Sequence, residues 1–255
     1  DKPCIKLLNK SDLSDPAVLA EWIDELEQPQ QVRTLVCSSS DNVHSSLPDL
    51  CRALLPKRVN RSAMIYAMIA GIPNVGKSTL INRLAGRSIA RTGNEAAMTR
   101  LQQRIEISPE LTLIDTPGML WPKIENEASG YRLAATGAIR DTAIEMQDVA
   151  SFIAEFMLES YPERLRQRYD IDSLPGSEIE FLELLARKRG CLVSGGHVDL
   201  EKVSRLLISE FRAGDLGGIC METPAGFAAE WEQVAINREL KAAAKEARKT
   251  RRRHK

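Results

Sequence analysis

The sequence predicts an α/β fold followed by a small all-helical domain, and three observations lead to this prediction. In the first half of the chain, apolar strand-like runs alternate with helical stretches, which is typical of a parallel sheet with helices on both faces. The apolar run at 63–70 leads directly into a glycine-rich turn and then a helical stretch. After about Pro122 the strand-like runs stop and helical periodicity remains.

The elements follow from the apolar runs and from the residues that end them. Strands are predicted at 4–8, 33–37, 63–70, 104–107 and 111–114, and helices at 17–26, 46–55 and 77–85. The last two strands should form a hairpin, because only three residues separate them. Later helices are predicted at 148–161, 178–189 and 200–212, the last two bounded by Gly190, Asp199 and Gly214. These elements divide the chain into domains at 1–145 and 146–228 and a basic, mobile or weakly helical tail at 229–255.

Composition excludes several classes of protein. With 255 residues, 43% hydrophobic and 27% charged, the chain is neither collagen-like, mucin-like nor wholly disordered. Its longest apolar run, 64–72, is far shorter than the roughly 20 residues of a membrane helix. Five cysteines without C-x-x-C spacing and three scattered histidines predict neither a disulfide framework nor a zinc site, and favour a reduced, cytosolic compartment. The net charge of zero is the sum of a basic tail and an acidic body.

The phosphate loop, Gly71-Ile-Pro-Asn-Val-Gly-Lys-Ser-Thr79, matches the pattern G-x-x-x-x-G-K-[ST]. In such a loop glycines let backbone N–H groups surround a β-phosphate, the lysine neutralises phosphate oxygens and the Ser hydroxyl binds Mg²⁺. The following helix directs its N-terminal dipole at the anion. A plain glycine turn is the alternative, but the flanking strand and helix argue against it. The predicted phosphate-binding residues are Asn74, Val75, Gly76, Lys77, Ser78 and Thr79.

A second motif, Asp115-Thr-Pro-Gly118, ends a strand 38 residues after Lys77. An aspartate here can hold a water on Mg²⁺, and the Gly118 N–H can bond a γ-phosphate and sense its loss. Alone, D-x-x-G is usually a turn. Its distance from the phosphate loop favours the functional interpretation.

A third motif, Asn9-Lys10-Ser11-Asp12, matches the guanine-reading pattern N-K-x-D. The Asp12 carboxylate can accept from guanine N1–H and N2, donors that adenine lacks in that geometry, so an ATPase is disfavoured. The Lys10 stem can lie along the base, and Asn9 can tie this segment to the phosphate loop. Ser11, between Lys10 and Asp12 in the chain, is included among the base-binding residues. Cys37 and Ser38 end the next strand and resemble the S-A-x loop that touches guanine O6. An ordinary helix-capping turn is the alternative for N-K-S-D.

The order of the motifs is N-K-x-D, S-A-x, phosphate loop, D-x-x-G, whereas common GTPases begin with the phosphate loop. All four follow strands, and ligands bind open α/β sheets at the carboxyl ends of strands. Joining neighbouring termini and opening the chain elsewhere preserves such a site. The sequence therefore predicts a P-loop GTPase fold with a circularly permuted motif order.

With these motifs in this order, the chain resembles the YlqF/RbgA family of ribosome biogenesis GTPases over about residues 4–222. The matching segments are Leu7-Leu-Asn-Lys-Ser-Asp12, Gly71 to Leu84, Asp115-Thr-Pro-Gly-Met-Leu-Trp-Pro-Lys123, Gly130-Tyr-Arg-Leu133, Thr136-Gly-Ala-Ile139, Lys188-Arg-Gly-Cys-Leu192 and Ser194-Gly-Gly196. The segment from Asp115 to Lys123 is the most family-specific of these.

The resemblance implies a cytoplasmic GTPase that binds GTP and GDP and acts late in assembly of the large (50S) ribosomal subunit. Its expected partners are rRNA, contacted through the helical domain, and ribosomal proteins; neither a membrane nor DNA is expected, and the protein should be monomeric. Ser78 and Thr99 would ligate Mg²⁺, with Asp115 acting through water, and a K⁺ is possible at Asn74. The implied catalytic residues are Lys77, Thr99 and Gly118.

Three departures from the family qualify this picture. The switch segment reads Ala96-Ala97-Met98-Thr99 rather than P-G-x-T, which changes its allowed backbone. The family's segment before N-K-x-D, with a strand, a helix and a histidine that assists hydrolysis, is missing, so we expect a fragment with a bare apolar face. Met119 occupies the place of a water-orienting glutamine. The alternative function is therefore a nucleotide-dependent rRNA- or ribosome-binding module with negligible hydrolysis of its own.

Overall fold

The computed structural model describes residues 2–38, 41, 43–55, 64–89, 103–121 and 123–253. Strands and helices alternate first: β1 (Cys4–Asn9), α1 (Pro16–Leu26), β2 (Val32–Cys37), α2 (Val43–Ala53), β3 (Ile65–Ile69), α3 (Lys77–Ala85), β4 (Gln103–Ser108) and β5 (Leu111–Asp115). Helices follow: α4 (Glu127–Ala135), α5 (Met146–Ser160), α6 (Pro162–Tyr169), α7 (Glu178–Arg189), α8 (Leu200–Ala213) and α9 (Pro224–Arg253). Among these residues no helix combines the length and apolar character that crossing a bilayer requires.

The described strands form two sheets, one parallel and one mixed, which corrects the expectation of one parallel sheet. β1 and β2 pair in parallel, with Asn9 opposite Cys37 at their carboxyl ends. β3 pairs in parallel with β5, so that Ile69 lies opposite Asp115, and β4 is antiparallel to β5. The β4–β5 pair is the predicted hairpin, and its two-residue connection is too short for a parallel crossover. Each parallel pair therefore presents its two motifs at one end.

The two sheets share one hydrophobic core. Helix α3 contributes Leu80, Ile81 and Leu84, each at most 3% exposed. The other buried members come from α2 and from both sheets: Cys37, Leu47, Cys51, Ile69, Ile105, Leu111 and Leu113. The face of β3 opposite this core is open, because Tyr66 and Met68 are 62% and 69% exposed.

A second core joins the helices from α4 to α8. Helix α5 buries Val149, Ile153 and Met157 completely, and their spacing is that of one face of the helix predicted at 148–161. Helix α4 precedes the predicted domain boundary after residue 145, yet its Ala134 and Ala135 belong to this helical core. The segment that follows the D-x-x-G motif is thus packed directly on the helical domain.

Helix α9 continues to Arg253, which is more regular than the mobile or weakly helical tail expected after Ala228. Alanine, lysine, arginine and glutamate are strong helix formers, so the local sequence supports this outcome. Near its start, Glu230 accepts two hydrogen bonds from Arg132 of α4, at 2.6 and 2.8 Å. Phe227 packs edge-on against Trp22 of α1 with ring centroids 5.8 Å apart. These tertiary contacts hold the first turns of α9 against both halves of the protein.

Glu210 of α8 is a buried carboxylate that ties three helices together. It accepts hydrogen bonds from the Tyr169 hydroxyl at 2.8 Å, from Arg168 at 3.3 Å and from Arg189 at 2.9 Å. Burial raises the pKa of Glu210, but the hydrogen bonds from Arg168 and Tyr169 and the charges of both arginines outweigh it, so the pKa lies below its usual value. The ionised form therefore stabilises the native state.

We predict that Glu210→Gln lowers the free energy of unfolding by about 2–3 kcal/mol at neutral pH, because charge-assisted hydrogen bonds are lost in a buried site. Since the folded-state pKa is depressed, this stabilisation is complete above the ordinary pKa near 4.5 and is lost as the pH falls through the folded-state value. Urea unfolding at neutral and acidic pH measures both effects.

Glu201→Gln is the matched control, because Glu201 lies on the same helix in an exposed pair with Arg205. Its effect should stay below about 0.5 kcal/mol. Equal losses in the two variants, or a difference from wild type that does not shrink at acidic pH, would contradict the role given to Glu210.

Candidate nucleotide-binding site

The phosphate loop connects the end of β3 to the start of α3. Two of its residues adopt left-handed backbone, Asn74 at φ 61° and Gly76 at φ 86°. Asparagine and glycine are the residues that tolerate this conformation, and it turns successive N–H groups toward one side. The first hydrogen bond of α3 runs from the Leu80 N–H to the Gly76 carbonyl at 2.9 Å. The N–H groups before Leu80 have no acceptor within the helix, so the loop suits an anion.

Asn9 at the end of β1 reaches this loop. Its side-chain N–H donates to the Val75 carbonyl at 2.8 Å, and its oxygen accepts weakly from the Cys37 thiol at 3.5 Å. A Cβ on Gly76 would lie 2.4 Å from the Asn9 amide nitrogen, so only glycine fits there. The contact expected between Asn9 and the phosphate loop is therefore present, and Asn9 also touches the end of β2.

The guanine loop, residues 9–14, leaves β1 through a strained turn. Lys10 adopts left-handed backbone at φ 59°, and its carbonyl accepts the Leu13 N–H at 2.9 Å. Ser11 and Leu13 bound a short 3-10 turn, and the side chain of Asp12 within it is exposed. Left-handed backbone costs a non-glycine residue about 1–3 kcal/mol and clusters at functional sites. The exposed carboxylate stands where a base could approach it.

Cys37 and Ser38 end β2 and are held from two directions. The Ser38 N–H donates to Asp41 at 2.6 Å, and Arg83 of α3 donates to the Ser38 carbonyl at 2.8 Å and also to the Asp41 carbonyl. Hydrogen bonds from the backbone N–H and the side chain of Ser38 lower the pKa of Asp41, while burial raises the pKa of the Cys37 thiol. Sequence reasoning missed Arg83 and Asp41. Only the spacing of Asp41 three residues after Ser38 is a local signal, and nothing local marks Arg83.

The D-x-x-G segment lies directly against the phosphate loop. The Lys77 ammonium donates to the Asp115 carboxylate, and both side chains are almost fully buried. A Cβ on Gly118 would lie 3.3 Å from backbone atoms of Pro73, and the Met119 N–H donates to the Gly71 carbonyl at 3.3 Å. The two motifs that the sequence assigned to phosphate and metal are thus in contact.

The donor set of this site suits Mg²⁺ bound together with phosphates. Ser78 lies in the first turn of α3, beside Lys77, and Asp115 contributes a buried carboxylate. Hydroxyl and carboxylate oxygens are the hard ligands that Mg²⁺ prefers, with phosphate oxygens and water completing the shell. Within the described residues there is no cluster of three His, Cys, Asp or Glu side chains that could hold a metal alone. Thr99 and the switch segment 96–99 lie outside the described residues.

Asn74, the residue considered for K⁺, contacts the helical half of the protein. Its side-chain N–H donates to the Gly137 carbonyl at 2.6 Å, just after the end of α4. Arg212 of α8 donates to the carbonyls of Ala134 and Ala135 at 2.8 and 2.9 Å. The phosphate loop is therefore connected through the end of α4 to the helical domain, a link that sequence reasoning did not anticipate.

Comparisons with known proteins agree on what this chain is similar to. Residues 66–173 match the family described as 50S ribosome-binding GTPase. The chain is 42% identical over 237 residues to Ribosome biogenesis GTPase A of Priestia megaterium. The aligned region covers 88% of this chain and 81% of that protein.

Two solved structures, each 28% identical in sequence, are also similar to the chain. One is the GDP-bound structure of TM YlqF, with a TM-score of 0.60 and coverage of 87% of this chain and 83% of that chain. The other is GNP-bound YlqF from T. maritima, with a TM-score of 0.57 and coverage of 86% and 81%. The similarity therefore includes the α/β part and the helical part of the chain.

We predict that Asn9→Ala weakens GDP binding about tenfold while the protein stays folded, because the guanine loop loses its hydrogen bond to the phosphate loop. Calorimetric titration with GDP measures the change. Asn237→Ala is the matched control, since Asn237 is an exposed asparagine on α9 whose hydrogen-bond partner is Gln233. Unchanged GDP affinity in Asn9→Ala would show that the contact does not organise the site.

Proposed function

This chain belongs to the ribosome biogenesis GTPase A family, also called YlqF/RbgA, and we propose that it is a GTP-hydrolysing switch in late assembly of the large ribosomal subunit. Family membership makes the protein a GTPase of ribosome biogenesis with a permuted P-loop fold. The proposal adds the subunit, the stage and the switch. The 2.8 Å contact between Asn9 and Val75 carries the nucleotide-binding part of the proposal, because it joins the guanine loop to the phosphate loop despite their permuted order. The description of the matching family, 50S ribosome-binding GTPase, supports the large subunit as the target.

In this proposal the guanine base lies between the guanine loop and the end of β2. Asp12 accepts from guanine N1–H and from the exocyclic amine, and Lys10 covers the base with its aliphatic stem. The Ser11 carbonyl accepts the Ser14 N–H at 3.1 Å within the same loop, and Cys37 and Ser38 border the O6 side. The exposure of Asp12 and the bracing of Ser38 by Arg83 support this arrangement.

The phosphates of GTP occupy the phosphate loop. Backbone N–H groups from Asn74 to Thr79 donate to the phosphate oxygens, and Lys77 neutralises them. Ser78 and Thr99 would hold Mg²⁺, with Asp115 acting through a bound water; the ion supplies positive charge against the phosphates. Because Lys77 is paired with Asp115, nucleotide binding must redirect the ammonium from the carboxylate to phosphate. Gly118 lies against Pro73, which suits an N–H that senses the γ-phosphate.

Hydrolysis should be slow without a partner. Met119 follows Gly118 and is 69% exposed, and a thioether cannot orient water through strong hydrogen bonds. Preorganised charge from Lys77 and from the N-terminus of α3 stabilises the transition state, but the attacking water needs another group. We therefore propose that the ribosomal particle stimulates the reaction.

The surface beside the site supports a large macromolecular partner. Trp121 is 85% exposed in the segment directly after D-x-x-G, where nucleotide state acts first. Arg166 and Arg187 are exposed on the helical domain, and Lys241 and Lys245 are exposed on α9, which suits rRNA phosphates. In this proposal the protein acts as a cytoplasmic monomer, with neither DNA nor a membrane as its target.

We predict that the protein sediments with isolated large subunits in the presence of a non-hydrolysable GTP analogue, and is released with GDP. The physical reason is that γ-phosphate contacts order the segment after Gly118, which carries the exposed Trp121. Small subunits are the control for non-specific binding to RNA. Equal retention on both subunits, or in both nucleotide states, would contradict a large-subunit switch.

We also predict slow single-turnover GTP hydrolysis that large subunits accelerate at least about tenfold, the effect of one added group that orients water. If large subunits bind without accelerating hydrolysis, the alternative holds, and the protein is a nucleotide-dependent binding module.

The K⁺ proposed at Asn74 is tested by running the hydrolysis reaction in KCl and in NaCl. Asn74→Ala should abolish any difference in rate between the two salts.

A further inference from the structure

The segment between α8 and α9 packs directly on the guanine loop. This glycine loop, residues 214–222, carries Gly214, Gly217 and Gly218. The Ile219 N–H donates to the Leu13 carbonyl at 2.9 Å, and the Cys220 thiol lies 3.8 Å from the Asp15 carbonyl oxygen. A backbone hydrogen bond therefore connects the helical domain to the residue that follows Asp12.

The closest approach is at Gly218. A Cβ there would lie 2.2 Å from the carbonyl oxygen and 2.8 Å from the carbonyl carbon of Ser14. Both are backbone atoms, so no side chain can rotate away to relieve the overlap. A Cβ on Gly214 would also lie 2.5 Å from the Leu13 side chain. The backbone of Gly218 is not left-handed, so its backbone angle does not require glycine. The close contact with Ser14 of the guanine loop does.

Both sides of this contact are anchored elsewhere. The Cys220 N–H donates to the Tyr161 hydroxyl at 3.3 Å, at the junction of α5 and α6. The Trp22 indole N–H of α1 donates to the Glu222 carbonyl at 3.0 Å. Arg164 of α6 lies 3.7 Å from the Asp15 carboxylate at the start of α1. The glycine loop is therefore a braced surface, and a shift of that surface must move the guanine loop.

We propose that the helical domain positions Asp12 for guanine recognition through the glycine loop, with Gly218 as the positioning residue. This inference rests on the guanine-reading role proposed for Asp12. The guanine loop is held at Asn9 by the phosphate loop and at Leu13 and Ser14 by the glycine loop. Asp12 lies between these two attachments. The orientation of the Asp12 carboxylate toward a base is therefore set by the α/β domain and the helical domain together, rather than by the 3-10 turn alone.

The test compares the affinities of GDP and inosine diphosphate, which lacks only the exocyclic amine of guanine. The wild-type protein should bind GDP about tenfold more tightly than inosine diphosphate, because one charge-assisted hydrogen bond to Asp12 is lost. Gly218→Ala should reduce that ratio toward one, since the displaced Ser14 backbone turns Asp12 away. A general loss of stability would weaken both nucleotides equally and leave the ratio unchanged.

Gly176→Ala is the matched control, because Gly176 lies in the same domain and an added Cβ there meets nothing within 4 Å. Its ratio should equal that of the wild type. Leu13→Ala is a second variant, which introduces no steric overlap because it removes the side chain that faces Gly214. Its GDP to inosine diphosphate affinity ratio tests the positioning role if Gly218→Ala fails to fold.

Each outcome bears on a different claim. A wild-type ratio near one overturns the guanine-reading role of Asp12 and this inference together. A wild-type ratio near ten that persists in folded Gly218→Ala, or in Leu13→Ala when the first variant does not fold, overturns the positioning role alone. A ratio that falls in these variants and not in Gly176→Ala supports the inference.

Discussion

The hydrogen bond from the Asn9 side chain to the Val75 carbonyl is the contact that joins the end of β1 to the phosphate loop. β1 and β3 belong to different sheets in the described part of the chain, so backbone pairing does not set their relative position. The shared core around α3 brings them near each other, and the carboxamide of Asn9 then fixes the guanine loop against the phosphate loop. Gly76 must be glycine because this carboxamide occupies the space of a side chain.

The helical domain supports the site at two separate places. Asn74 of the phosphate loop bonds to Gly137, and Arg212 of α8 holds the carbonyls just before it. At the second place, the glycine loop contacts the backbone of the guanine loop at Leu13 and Ser14. In the proposed function, a partner that shifts the helical domain would therefore alter phosphate and base recognition together. Thermodynamic linkage requires that nucleotide binding act back on the helical domain with equal free energy.

The permuted order of motifs is compatible with this site because strand ends, not chain order, determine where each motif lies. Parallel pairing of β1 with β2 aligns Asn9 with Cys37, and pairing of β3 with β5 aligns Ile69 with Asp115. The four motifs therefore all follow the carboxyl ends of parallel strands, where ligands bind open α/β sheets. At the ends of β3 and β5, the ion pair of Lys77 with Asp115 is almost fully buried, so the phosphate loop and the D-x-x-G segment pack closely there.

The sequence by itself determined the strands, the hairpin, the four motifs and most of the helices, because periodicity and short patterns are local properties of the chain; it did not predict α4 or α6. It also predicted the contact of Asn9 with the phosphate loop. Only the tertiary structure decided the division into two sheets and the contacts of Arg83 and Gly218. These depend on surfaces far apart in the chain: Arg83 meets a loop more than 40 residues away, and Gly218 meets Ser14 near the other end. A glycine required by close approach looks like any other glycine until its neighbour is known, because its constraint is space rather than backbone angle.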